Sequence, residues 1–278
     1  MPKRLIVTAD DFGLDEAVND AVERAHRHGI LTCASLMVGE PAAADAVART
    51  RAMPRLGVGL HLTFVDGRPT LPPERIPALV APDGRFPSDP VRQGLRIFFS
   101  PAARRQLAAE MRAQLDAFRR TGLALDHVNG HHHFHIHPVI RGLILRWAPE
   151  YAIRAVRVPA SRRPPPARSL EAWSNDWQSG RLRRRLARAG IAANDDIFGL
   201  AESGHMTIAP IRDAVARIGD GVSEIYCHPV ARAWRPGDPW PEDYDGLGEM
   251  QALLDPELPP RLAERGIELA TFATARSR

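Results

Sequence analysis

The sequence lacks most features that mark secreted, membrane-spanning or redox-active proteins. Only two of its 278 residues are cysteines, and Cys33 and Cys227 lie far apart, which excludes a disulfide framework and a CxxC motif. The first apolar run, RLIVTA, is only as long as a strand and meets two carboxylates at once, unlike a signal peptide or a membrane span. We therefore expect a cytoplasmic protein.

Lysine is also nearly absent, because Lys3 is the only one and arginine carries the positive charge. The densest basic stretch, RLRRRLAR at 181–188, has no aromatic residues among its arginines, so a solvated helix face explains it better than a nucleic-acid surface. No nucleic-acid partner is expected. The composition is ordinary for a globular protein, and we expect a single domain over 1–278 with a proline- and glycine-rich insertion at about 67–100.

Strand-like and helix-like patterns alternate along the whole chain. This alternation, without a glycine-rich nucleotide fingerprint, favours an irregular (β/α) barrel of parallel strands, similar to a TIM barrel, over an open dinucleotide-binding sheet. In such barrels the active site lies at the C-terminal ends of the strands. The predicted strands lie at 4–9, 30–38, 56–64, 125–133, 155–160, 196–202, 223–229 and 267–273. The predicted helices lie at 14–28, 42–50, 102–121, 138–148 and 208–218, with further helical regions around 181–188 and before 265.

Two short motifs place acidic and basic residues at predicted strand ends. Asp10 and Asp11 are adjacent in ADDFG, and adjacent side chains of an extended chain point apart, so one carboxylate can bind a metal ion while its neighbour contacts a water on that ion. Alternatively, one of them caps the helix that begins near Leu14. His61 lies in the apolar stretch GLHLT, where a buried core histidine is the simpler alternative to a ligand.

The stretch NGHHHFHIHP holds five of the eleven histidines. In an extended segment His131, His133, His135 and His137 would share one face, and His132 would point the other way. A carboxylate with two neutral imidazoles is a common set of ligands for a divalent metal ion. One or two histidines of this stretch are therefore expected at the ion, and the others would contact the ligands, the substrate or the core.

A third motif, EIYCHP, ends a late predicted strand with His228. A histidine held there can protonate a leaving group. The alternative is an ordinary polar residue at a strand end.

Taken in order, TADDFG, GLHL, HHHxH and CHP resemble the motifs of the YdjC-like family of carbohydrate deacetylases, and the resemblance spans essentially the whole chain. It implies an irregular (β/α) barrel and a metal-dependent hydrolase that removes N-acetyl groups from amino sugars. By motif, Asp11, His61 and His131 would hold one divalent metal ion, Zn²⁺ or Mg²⁺. Asp10 would be the general base, and His228 would be the acid.

Three further residues are expected to contact the substrate because of their positions in the sequence. Arg157, at another predicted strand end, would hold a sugar hydroxyl or the oxyanion, and His133 and His135 would be further contacts. Family members often carry Asp-Ser directly before the triple histidine, whereas this chain has Asn129-Gly130. A carboxylate that orients a ligand is therefore missing at that point, although Asp126 lies three residues upstream.

Within the family, looser similarities resemble the hopanoid-biosynthesis-associated members, whose implied substrate is an N-acetylglucosaminyl hopanoid lipid. An amphipathic element with Leu95, Ile97, Phe98 and Phe99 could cover a lipid-like aglycone or rest on the inner membrane surface, or could simply pack on the barrel. The expected partner is an N-acetylated amino sugar or a glycolipid, and peripheral membrane contact and a homodimer both stay open. The looser similarities lie at 94–107, 175–186 and 194–206.

Two other kinds of function stay open from the sequence. A different metal-dependent barrel enzyme, such as a sugar isomerase or another amidohydrolase, could use the same ligands. A noncatalytic RNA- or membrane-binding protein with a structural metal would show steeply salt-dependent binding. In that last alternative Asp10 would have no function, which makes it the least favoured of the three.

Overall fold

Seven parallel strands form the centre of the protein in a computed structural model, which describes residues 2–162 and 170–275, with side chains from 174 onwards in the second range. The strands are β1 (Lys3–Phe12), β2 (Cys33–Leu36), β3 (Gly57–Leu62), β4 (Val128–Gly130), β5 (Asp196–Phe198), β6 (Gly221–Cys227) and β7 (Ile267–Leu269). They pair in the order β4-β3-β2-β1-β6-β5, and β7 pairs with the start of β1. Isolated parallel bridges continue from β4 to Val156, and from Ala155 to Ala192. The predicted irregular (β/α) barrel is confirmed.

Helices surround this sheet. They are α1 (Glu16–His28), α2 (Ala43–Thr50), α3 (Pro90–Phe99), α4 (Pro101–Arg120), α5 (Pro138–Trp147), α6 (Leu170–Arg188), α7 (Ile208–Arg217), α8 (Gly246–Leu253) and α9 (Leu258–Glu264), with short 3₁₀ segments at Pro73–Arg75 and His131–Ile136. Asp15, Asp89 and Ser100 begin α1, α3 and α4 by accepting a backbone N–H of the first turn. In the described ranges, no helix is long and apolar enough to cross a membrane.

Several strand predictions were too long, and the histidine-rich stretch shows why. The strand predicted over 125–133 is reduced to β4, because His132 and His133 have φ values of 52° and 53°. An extended strand cannot contain such residues, so the chain turns into a 3₁₀ segment instead. The expected alternation of faces along the histidines is therefore wrong. The strand predicted at 155–160 was also too long, since only Ala155 and Val156 form β-bridges there.

A polar stripe on α4 fastens the segment that follows β3. Gln106, Glu110 and Gln114 lie four residues apart, so they share one face of the helix. The Glu110 carboxylate accepts the backbone N–H groups of Thr70 and Leu71 at 2.7 and 2.9 Å. The two glutamines accept further backbone N–H groups of the same segment. This stripe holds the segment after β3, whose only regular element up to Ala78 is the 3₁₀ turn Pro73–Arg75, against the barrel.

The substitution Glu110→Ala should lower the free energy of unfolding by about 1 to 3 kcal/mol, because it leaves two partly buried backbone N–H groups without their acceptor. Urea denaturation at neutral pH measures the effect. Arg105→Ala on the exposed side of the same helix is the control, and its effect should stay within about 0.5 kcal/mol. Equal stability losses in the two variants would contradict the anchoring role of Glu110.

Candidate active site

The C-terminal ends of the strands open into a cleft of about 880 Å³. Six of the eight site residues predicted from the sequence line it, whereas Arg157 and His135 are enclosed behind it. The six are Asp10, Asp11, His61, His131, His133 and His228.

A bulge at the end of β1 turns two adjacent carboxylates into this cleft. The register of β1 against β2 shifts between Ala9 and Phe12, and Asp11 has a φ of 62°. Asp10 and Asp11 consequently both line the cleft instead of pointing apart. The alternative that one of them caps α1 is wrong, because the cap is Asp15, whose Oδ1 accepts the N–H of Ala17 at 2.8 Å.

Asp11, His61 and His131 bring three potential ligand atoms together, all within 4.8 Å of one another. Asp11 Oδ1 lies 2.9 Å from His131 Nδ1 and 3.3 Å from His61 Nε2. Nevertheless, this buried oxygen makes no hydrogen bond of acceptable geometry within the described ranges. Ligand atoms this close, but not directed at each other, suit a cation between them better than a hydrogen-bonded cluster. The residues present therefore fit a metal ion.

The hydrogen bond of His61 Nδ1 determines which form of the imidazole faces the candidate metal centre. His61 Nδ1 lies 2.7 Å from Asn129 Oδ1, and because an amide oxygen only accepts, Nδ1 carries the hydrogen. Nε2 is then left with its lone pair towards Asp11. The amide nitrogen of Asn129 donates to Asp10 Oδ1 at 3.0 Å. The sequence showed Asn129 only as a departure from the family pattern, and its contacts with both His61 and Asp10 were missed.

Arg157 lies behind the cleft with none of its surface exposed. Its guanidinium donates to both oxygens of Asp10 and, at 2.7 Å, to Glu224 Oε1. Burial opposes ionisation of Asp10, but the charge of Arg157 outweighs it and holds the pKa of Asp10 well below its usual range. The predicted contact of Arg157 with a sugar hydroxyl or oxyanion is wrong, because the guanidinium is fully buried and two buried carboxylates occupy it. Glu224, a carboxylate within the apolar strand GVSEIYC, was given no role from the sequence.

His132 and His133 form part of the cleft wall. His132 Nε2 lies 3.6 Å from Asp66 Oδ2 at the exposed rim, so the prediction that His132 points away from the site is wrong. The ring of His133 packs edge-on against Tyr226, with 5.0 Å between the ring centroids. Burial lowers the pKa of His133 well below its usual value, which keeps its imidazole neutral.

The other two histidines of the stretch, His135 and His137, contact backbone atoms, and of these two only His137 lines the cleft. His135 is fully buried, and its Nε2 lies 3.0 Å from the carbonyl oxygen of Arg157. The predicted substrate contact of His135 is therefore corrected, because its ring does not reach the cleft. His137 belongs to the turn into α5, as expected, where its Nδ1 accepts the N–H of Val139 at 3.3 Å.

His228 follows β6 and lines the cleft beside two tyrosines. The centroid of its ring lies 5.7 Å from that of Tyr226 and 5.2 Å from that of Tyr244. The backbone N–H of His228 donates to Glu249, whose pKa burial raises to about 8. Burial also lowers the pKa of His228, against the opposing charges of the nearby carboxylates. Its buried Nδ1 has no hydrogen-bond partner among the described residues.

One wall of the cleft is apolar. It is lined by four large apolar residues of α3, namely Val91, Leu95, Phe98 and Phe99. Their exposed fractions are 62, 55, 43 and 71%, respectively. Ile97 of the same helix is fully buried in the core. The interpretation that this element packs on the barrel is confirmed for one side of α3, and the other side lines the cleft. Its contact with a lipid or a membrane stays a prediction.

These features define a (β/α)-barrel protein with a candidate metal centre of one aspartate and two histidines at its strand ends. The model of the YdjC-like protein family matches residues 4–264, and the chain belongs to this family.

Similar proteins extend this comparison. A carbohydrate deacetylase of Geobacillus stearothermophilus is 31% identical over 277 residues, 98% of each chain. A carbohydrate deacetylase of Brevibacillus brevis is 40% identical over 156 residues, 56% of this chain and 59% of that protein. Among solved structures, a candidate cellobiose-phosphate cleavage protein of Enterococcus faecalis superimposes with a TM-score of 0.76 at 25% identity, over 98% of both chains.

The substitution Arg157→Met should lower the free energy of unfolding by about 3 to 5 kcal/mol, because Asp10 and Glu224 would stay buried without their shared partner. The loss should shrink at acidic pH, since protonation removes the unpaired charges. Urea denaturation at several pH values tests both points. Arg154→Met, at an exposed position nearby, is the control and should change stability by less than about 0.5 kcal/mol. A loss that is small or independent of pH would argue against this ion pair.

Proposed function

We propose that this chain is a metal-dependent hydrolase that removes the acetyl group from an N-acetylamino sugar. The observation that carries the proposal is the convergence of Asp11, His61 and His131 beside Asp10 and His228 in one cleft. Membership of the YdjC-like family and similarity along the full chain to a carbohydrate deacetylase support the same reaction class.

Asp11, His61 and His131 would hold one divalent ion. One carboxylate oxygen and two imidazole nitrogens suit Zn²⁺ and other first-row ions better than Mg²⁺, which prefers oxygen ligands. When bound there, the ion would polarise the acetamide carbonyl and lower the pKa of a water molecule.

The chain's own groups would move the protons. Asp10 is kept ionised by Arg157 and oriented by Asn129, so it can accept a proton from the attacking water. Its low pKa makes it a weak base, and its contribution is therefore mainly one of position. His228 would deliver a proton to the departing nitrogen, and its lowered pKa makes its protonated form a ready donor.

Purified, zinc-loaded protein incubated with a panel of N-acetylated sugars should release acetate, and mass spectrometry should show the loss of one acetyl group. Asp11→Ala should abolish both metal binding and turnover, because it removes a ligand. Asp10→Asn should bind the metal normally and lose about 10²- to 10⁴-fold in kcat. His28→Gln, at an exposed position, is the control and should behave as the wild type.

The outcomes separate the alternatives for this site. Near-normal activity of Asp10→Asn with metal bound would remove Asp10 as the base. A sugar that is converted with its acetyl group intact would favour an isomerase. A protein that binds zinc but converts no member of the panel would overturn the hydrolase proposal.

We further propose that the acetylated sugar is carried on a lipid of the N-acetylglucosaminyl hopanoid type. The exposed apolar residues of α3 support this, because they share the cleft with the candidate metal centre. Large apolar side chains clustered at a cleft usually mark a binding site for an apolar partner. The sugar would then lie at the strand ends and the lipid along α3.

N-acetylglucosamine with a long alkyl aglycone should be deacetylated with a higher kcat/KM than its methyl glycoside. Leu95→Ser and Phe99→Ser should each lower kcat/KM for the alkyl glycoside by about 10-fold or more and leave the methyl glycoside nearly unaffected, because each removes apolar contact area. Leu269→Ser is the matched control, since Leu269 is 43% exposed but pairs with Leu5 near the start of β1, at the opposite end of the strand from Asp10. Equal kcat/KM for both glycosides would contradict a lipid substrate.

A further inference from the structure

A line of buried hydrogen bonds runs from the candidate metal centre into the barrel interior. His61 Nδ1 lies 2.7 Å from Asn129 Oδ1, and Asn129 Nδ2 donates to Ser35 Oγ at 2.9 Å. Ser35 Oγ lies 3.0 Å from His127 Nε2, and His127 Nδ1 lies 3.0 Å from Asp126 Oδ2. All five side chains are buried. We call Ser35, His127 and Asp126 the interior triad.

Carboxylates near both ends of this line fix the direction in which its hydrogen bonds donate. At the upper end Asp10 only accepts hydrogen bonds, so the amide nitrogen of Asn129 faces it and the amide oxygen faces His61. At the lower end Asp126 only accepts, so the ring nitrogen of His127 that faces it carries the hydrogen. The hydroxyl between them then accepts from the amide and donates to the other ring nitrogen. Every hydrogen along the line points away from the metal centre.

The surroundings of His127 hold its ring in this one position. A Cβ atom added at Gly59 would lie 2.5 Å from the imidazole, so only glycine leaves room for the ring there. Phe272 stacks on the ring with 4.5 Å between centroids, and its backbone N–H donates to Asp126. Gly57 likewise leaves space for the Asp126 carboxylate, since its added Cβ would lie 2.8 Å from Asp126 Cγ. The glycines of the strand GVGLHL thus make room for the interior triad.

The lower end of the line also contains Cys33, which together with Asp126 and His127 could hold a metal ion. Burial, with the charge of Asp126 added to it, raises the pKa of the Cys33 thiol well above its usual value, so it stays protonated. Its Sγ donates to Asp126 at 3.5 Å. Hydrogen bonds therefore account for this cluster without an ion.

We propose that the interior triad consists of positioning residues that fix the amide of Asn129 and thereby keep His61 in the tautomer whose Nε2 faces the candidate metal centre. This inference rests on the proposed function. Without the Ser35 hydroxyl the amide nitrogen keeps only Asp10 as an acceptor, so the rotated amide becomes more populated. A rotated amide presents its NH₂ group to His61, which favours hydrogen on Nε2 and blocks that atom as a ligand.

Ser35→Ala tests this role, and Cys33→Ala is the matched control. Both remove one buried polar atom from β2 near Asp126 and His127, but only Ser35 lies in the line to Asn129. Zn²⁺ affinity measured by calorimetry should fall about 10- to 100-fold in Ser35→Ala and stay unchanged in Cys33→Ala. In the metal-free proteins, ¹⁵N NMR should show a single Nδ1–H tautomer of His61 in the wild type and in Cys33→Ala. In Ser35→Ala it should show a mixture of tautomers.

An unchanged His61 tautomer and zinc affinity in Ser35→Ala would overturn the proposal, and so would equal losses in Cys33→Ala. His127→Phe is a second variant, because it keeps an aromatic ring between Gly59 and Phe272 but removes both nitrogens. It should shift the tautomer in the same direction. The NMR measurement needs no metal and no substrate, so a wild-type protein with the expected tautomer but no acetate release would count against the proposed function alone.

Discussion

The buried guanidinium of Arg157 sets the charge balance on which the rest of the site depends. Asp10 and Glu224 lie side by side inside the barrel, and without a cation they would repel each other and take up protons. With Arg157 between them, Asp10 stays ionised and accepts the amide hydrogen of Asn129. That contact in turn leaves the amide oxygen for His61. The orientation of a candidate metal ligand therefore depends on an ion pair that does not touch it.

Unusual backbone conformations position further residues of the cleft at two places. Asp11, His132 and His133 all have φ values between 50° and 65°, which residues other than glycine seldom adopt. Asp11 is the second-last residue of β1, and His132 and His133 lie in the 3₁₀ segment that follows β4. At Asp11 the turn brings a second carboxylate next to Asp10, and at His132 it ends the strand so that His131 and His133 both reach the cleft. Such conformations cost free energy, and they tend to be found where a site requires them.

The sequence predicted the barrel and placed Asp11, His61 and His131 at strand ends that share one edge, and the resemblance to the family singled them out as a ligand set. It could not predict the surroundings of Arg157 or His135. Their burial depends on how an irregular segment packs against residues far away in the sequence, such as Glu224. The rule of alternating faces also fails wherever φ becomes positive, so it assigned His132 and His135 wrongly. Asn129 was visible only as a difference from relatives, and only its contacts explain it.

The distribution of polar and apolar groups departs twice from what folding alone favours. Inside the barrel, glycines at 57 and 59 make room for a carboxylate and an imidazole, where apolar side chains would cost less free energy to bury. A buried polar line is stable only if each group is paired, and it then fixes one arrangement of its neighbours. Outside, α3 leaves Leu95 and Phe99 exposed. The exposed residues of α3 line the cleft, and the buried line ends at His61 in the same cleft, so selection for a defined site explains both departures better than selection for stability.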